Sequence, residues 1–74
     1  MIHNDWQSRI ECDPDLHHGE PCIKGTRVPV SILVASLAEM TQEDLLSEYP
    51  QLCPDDIRSA LLYAAEAAHN TLVA

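Results

Sequence analysis

The sequence predicts a mainly α domain: three helices in a helix-turn-helix-like plan, preceded by two short N-terminal β-strands. Three observations predict it. An apolar run of helical periodicity starts after Pro29. Two further prolines, Pro50 and Pro54, divide the rest of the chain into a short and a long helical segment. Upstream, short apolar stretches alternate with Asp-Pro and Gly-containing turns, which is strand-and-turn chemistry. At 74 residues the chain is read as one domain, with a strand or hairpin arm over 8–28 and the three helices over 29–70.

The first strand is Ser8–Cys12, with Ile10 as its one strong apolar residue. Asp13-Pro14-Asp15 then turns the chain. A second strand is expected over Pro21–Gly25, within the stretch GEPCIKGTRVPV, which holds both glycines of the protein. Gly25 is expected at positive φ, ending the strand. Val28, preceding Pro29, is biased towards an extended conformation. The stretch is thus a hinge of fixed angle that feeds the first helix, and Pro29 suits that helix's first position.

Helix one, VSILVASLAEM, carries Val30, Leu33, Val34, Leu37 and Met40 on one stripe. Ile32, Ala35 and Ala38 lie elsewhere, so the helix is apolar nearly all round and needs cover on more than one side. Thr41 and Asp44 form a capping-box pair at the start of helix two, which runs to about Tyr49 with Leu45, Leu46 and Tyr49 inward. Helix three opens with Pro54, Asp55 and Asp56; the two acids suit the positive end of the helix dipole. Its core stripe is expected to be Ile57, Ala60, Leu61, Ala64 and Ala68. Asp55, Arg58, Ser59, Leu62, Tyr63 and Glu66 are expected to face outward.

The net charge is −8, and residues 30–74 carry only Arg58 against seven carboxylates. That excludes tight nonspecific binding to nucleic acid, which needs clustered Lys and Arg, and favours a basic protein partner. Within a helix-turn-helix plan the DNA candidates are Lys24, Arg27, Arg58 and Ser59. Helix three is a poor reading helix, because Asp55 and Asp56 face phosphates unfavourably. Outward Leu62 and Tyr63, with Glu66, point instead to a protein interface, unless the tail Thr71–Ala74 folds back over them. A core this small gains from a partner, and a homodimer is expected.

Cys12, His17, His18 and Cys22 are the right ligand types for zinc, but neither cysteine has a second one two to four residues away. No metal and no cofactor is expected. A Cys–His nucleophile lacks an oxyanion hole and a sizeable pocket, so no enzyme is expected either. KGTR has the wrong order for a phosphate loop and lacks the leading glycines. Three cysteines, no signal-like N-terminus and no apolar run of membrane-spanning length predict a reduced, cytoplasmic protein with Cys12, Cys22 and Cys53 as thiols.

The stretches IECDPDLHHGEPCIKGTRVPV and LVASLAEMTQEDLLSEYPQLCPDDIRSALLYAA closely resemble the family called domain of unknown function 433. The resemblance runs from Ile10 to about Ala65. It implies a small helix-turn-helix of the homeodomain-like class with N-terminal strands. It also implies an antitoxin of the VapB type, whose partner is a PIN-like ribonuclease toxin and which, as a dimer, binds its own operator DNA. Cys53 departs from the Thr or Ser that the family places before Pro54, and Glu39-Met40 stands where the family commonly has a glycine.

Overall fold

The computed structural model describes residues 6–15 and 19–73, with side chains through Asn70. The elements in chain order are a 3-10 turn (Trp6–Arg9), β1 (Ile10–Glu11), β2 (Cys22–Ile23), β3 (Val28–Pro29), α1 (Val30–Ser36), α2 (Gln42–Glu48) and α3 (Pro54–Val73). The molecule is mainly helical with a small antiparallel sheet in the order β1-β2-β3. Ile10 pairs with Ile23 and Glu11 with Cys22; Cys22 also pairs with Pro29, and Ile23 with Val28. β2 is therefore central, and both of its residues are buried.

The sheet has one strand more than the sequence reading expected. Pro29 does not start α1. It caps it, at φ −65 and ψ 142, while ending β3. Both features follow from local rules. The ring fixes φ, and a residue before proline, here Val28, is pushed to extended backbone. A proline in a strand needs an edge position, because it has no N–H to give, and β3 is an edge. The β2–β3 turn is as expected at Gly25, which lies at φ 82, but Arg27 also takes a left-handed φ of 62. Thr26 secures the turn: its hydroxyl donates to Ile23 O at 2.9 Å and accepts from Val28 N at 3.1 Å.

α1 is shorter than its apolar pattern. Beyond Ser36 the backbone tightens into turns, with Ala38 N donating to Ala35 O and Glu39 N to Ser36 O. α2 begins with the expected capping box: Asp44 N donates to Thr41 Oγ1 at 3.1 Å, and Thr41 N to Asp44 Oδ2 at 3.4 Å. It stops at Tyr49, which Pro50 keeps out of the helical region. α3, at twenty residues, is about 30 Å long and continues through Val73.

The core cluster is Ile23, Val28, Val30, Leu33, Leu45, Leu52, Ile57 and Ala60. Here the expected stripe of α3 needs three corrections. Leu61 and Ala68, assigned to the core, are exposed, Leu61 at 43%, and Ser59, assigned outward, is 2% exposed. Ser59 donates its hydroxyl to Asp55 O at 2.9 Å. The buried face is rotated by about one residue because the 3-10 turn packs along it. Trp6 meets the Tyr63 ring edge-on at 6.5 Å between centroids, and Arg9 Nη1 donates to Asp56 Oδ1 at 2.9 Å. Asp56, Ser59 and Tyr63 lie three and four residues apart, one above the other on the helix. Two of the three are polar, so hydrophobic periodicity does not reveal this face.

Candidate protein-docking groove

α1 covers its Leu33 and Val30 with the core, but Val34 is only half-buried and Ala35 is exposed. On α3, Tyr63 and Ala64 are half-buried and Ala67 is exposed. Between the two helices runs an open groove of about 430 Å³, lined by Val30, Ser31, Val34, Ala35, Tyr63, Ala64 and Ala67 together with Glu20 and Pro21. The all-round apolarity of helix one predicted an uncovered side, and this groove is that side. Glu20 is held in place by the Ser31 hydroxyl, which donates to its carboxylate. A shallower depression lined by Tyr63, Glu66, Ala67 and Asn70 continues the groove along α3. Among the described residues lining both, the two ionisable carboxylates are Glu20 and Glu66, and no Lys or Arg takes part.

The three residues expected at the interface are thus not on one face. Tyr63 and Glu66 line the α1–α3 groove. Leu62 faces a different one, with Gln42, Pro54, Asp55, Arg58 and Leu61. The DNA candidates fare differently. Lys24 and Arg27 lie in the β2–β3 turn, Lys24 exposed, and Arg58 is exposed on α3. Arg27 and Arg58 are each engaged by other groups of the chain. Ser59 is a correction: it is buried and bonded to its own helix, so it cannot reach a ligand.

The sequence reading missed Arg9. Its guanidinium bridges Asp56 at 2.9 Å and Asp55 at 3.6 Å, and donates to Cys53 Sγ at 3.6 Å. The hydrogen bond to Asp56 leads in making it hold its proton more tightly than usual; desolvation opposes this, and the charges of Cys53, Asp56 and Asp55 add to it. Asp56 Oδ2 also accepts from Cys53 N at 3.0 Å. The weak cap residue Cys53 is therefore compensated by the third helical residue reaching back, which is half of a capping box. A signal for this was present: two acids at a helix start that lacks a Ser or Thr cap offer a replacement acceptor.

Among the described residues no three His, Cys, Asp or Glu side chains are disposed to hold a metal ion. His17 and His18, half of the weighed zinc set, lie outside the described residues. Cys12 and Cys53 are exposed free thiols and Cys22 is buried. Burial pushes the Cys22 thiol up, and Glu20, Cys12 and Glu11 add to it. A thiol reagent at neutral pH is expected to label Cys12 and Cys53 and to react with Cys22 at least about tenfold more slowly. Equal rates at all three would contradict the burial of Cys22. The folded chain holds the Cys22 proton more tightly than the unfolded one. Its contribution to stability is intact below the ordinary thiol pKa of about 8.5 and is lost as pH rises above that.

No described helix is long and apolar enough to cross a membrane. Residues 10–64 match the family described as Protein of unknown function (DUF433). An uncharacterized protein of Sinorhizobium fredii, y4eO, is 39% identical over 56 residues, which are 74% of this chain and 25% of that one. The crystal structure of a DUF433 member protein from Anabaena variabilis superposes with a TM-score of 0.78 at 31% identity, over 86% of this chain and 64% of that one. The chain thus spans a quarter of the length of the curated relative and less than two thirds of the solved one.

Proposed function

We propose that this chain, which belongs to the DUF433 family, is an antitoxin-like binding module that docks on a PIN-like ribonuclease and blocks it. One observation carries the reading: a mainly apolar groove with an aromatic residue and carboxylates in its lining, on a chain of net charge −8. Aromatic residues in apolar depressions supply affinity. Carboxylates beside them steer towards a cationic target such as an RNA-binding cleft. The chain acts by occlusion, in the cytoplasm, with no catalysis and no cofactor of its own. It does so as a homodimer, and binding of operator DNA is a secondary role.

The test is capture of partners by the tagged chain from its own host at native expression, with identification by mass spectrometry. A small ribonuclease at stoichiometric yield, inhibited by added chain, is the expected result. Glu66→Lys, on an exposed helix face, is expected to weaken the inhibition by roughly tenfold with an unchanged melting temperature. Recovery of the chain alone, while the neighbouring gene is expressed, would overturn the reading.

A second reading is a small dimeric helix-turn-helix regulator without a toxin partner, in which α2 and α3 form the motif. The turn carrying Lys24 and Arg27 favours it. The acids Glu43, Asp44, Glu48 and Asp55, all exposed on α2 and the start of α3, oppose it. Under this reading, binding to upstream DNA falls steeply with salt and Lys24→Ala reduces the slope by about one. Binding that is absent or insensitive to salt removes it.

A further inference from the structure

We infer that the α1–α3 groove seats an amphipathic helix of a different protein, apolar along the side it presents and bearing Lys or Arg beside that side. The inference deepens the docking reading of the same groove and rests on it. Its shape argument is one of helix lengths. α1 has seven residues, about 10 Å, against about 30 Å for α3. Past Ala60 no described residue of α3 is fully buried, and residues 65–70 are exposed. The groove therefore has two helical walls and an open third side. A third helix fits such a space by setting its ridge between the two rows. Ala35, Ala64 and Ala67 let its backbone come close.

Charge selects the occupant. Glu20 lines the groove and Glu66 the depression that adjoins it on α3. No Lys or Arg occurs in α1, and none occurs between Ser59 and Val73. A two-fold dimer sets the same patch against itself. Through this face it would bring carboxylates to carboxylates, with no Lys or Arg in the lining of either copy. A head-to-tail contact between copies does not close, and builds filaments instead. The complementary charge must come from another protein.

The experiment uses the full chain and a displayed library of helical peptides. Enriched sequences are expected to carry apolar residues at i, i+3, i+4 and i+7, with Lys or Arg flanking them. Replacing those basic residues by Glu is expected to cost roughly tenfold in affinity. Ala67→Arg puts a good helix former at an exposed position, so the fold persists while the groove is blocked. It should weaken every selected peptide by at least about tenfold. Binding has an internal reporter, because the single tryptophan, Trp6, lies edge-on against the groove residue Tyr63. Its emission should shift on saturation. The inference is overturned if no peptide is enriched, if the enriched ones lack basic residues, or if they bind Ala67→Arg equally well. It is also overturned if Ala67→Arg dissolves a homodimer, since the occupant is then a second copy. Failure here, with a ribonuclease still captured and inhibited, rejects the groove as the seat and leaves the antitoxin reading standing. Success here, with no ribonuclease captured, does the reverse.

Discussion

Ile57→Ala is expected to lower the melting temperature by about 10–30 °C. Ile57 is fully buried, at 0% exposure, in the cluster that also holds Ile23, Leu33 and Leu45. Truncating such a side chain to Ala costs about 2–5 kcal/mol, the transfer energy plus the cavity left behind. A typical 0.05–0.15 kcal/mol per residue gives a chain of 74 residues about 4–11 kcal/mol in total. Short chains sit low in such ranges, because they bury less of their surface. Each kcal/mol shifts the midpoint by about 4–8 °C at this size. The change therefore removes a large part of the stability. Leu61→Ala, on a residue 43% exposed in the same helix, should cost no more than about 0.5–1 kcal/mol. Thermal melts followed by circular dichroism compare the two. Equal losses would mean that the buried face of α3 is centred elsewhere.

The contrast between Ile57 and Leu61 also marks where sequence reasoning succeeds and where it stops. The helix starts were legible to within a residue, because each depends on residues adjacent in sequence; Pro29, expected as the first residue of α1, is its cap instead. The Thr41–Asp44 box and the positive φ of Gly25 are as expected. The helix stop at Tyr49 follows from Pro50. The third strand was legible in part: Val28 was expected to be extended, but pairing to Cys22–Ile23 is a non-local event. The rotation of α3 was not legible. It depends on a Trp6–Arg9 turn that carries no periodic signal and that meets Asp56 forty-seven positions away. Of the groove, the sequence showed the excess apolarity of α1 and the exposure of Glu66, whereas Tyr63, expected outward, is half-buried against the core and Trp6. The sequence could not show that Leu62 and Tyr63 part company. Neighbours on a helix point about 100° apart, so adjacent residues readily serve different grooves.

Asp56→Ala is the second large effect, and it separates two tasks of one carboxylate. One oxygen accepts from Cys53 N and caps α3; the other accepts from Arg9 and holds the 3-10 turn against the helix. The side chain is nearly buried, at 10% exposure. Its removal leaves the Cys53 N–H without its acceptor, a loss of about 1–3 kcal/mol. Arg9→Ala removes the guanidinium's contacts to Asp56, Asp55 and Cys53 Sγ and leaves the cap intact. Its thermal effect should be the smaller, since Arg9 is 42% exposed and water replaces the lost partner. The emission of Trp6 should respond to both changes alike, because both release the turn that presents Trp6 to Tyr63. The double variant should be worse than Asp56→Ala alone only by the exposed Arg9 contacts to Asp55 and Cys53, since the Arg9–Asp56 contact is already lost. Equal destabilisation by Arg9→Ala and Asp56→Ala would show that the cap contributes nothing. Unchanged Trp6 emission in both would show that the ion pair does not hold the turn. The groove inherits the outcome, since Tyr63 is wedged between Trp6 on one side and the groove on the other. A chain with a released turn keeps its helices and loses a fixed groove wall, so its binding should weaken more than its helicity.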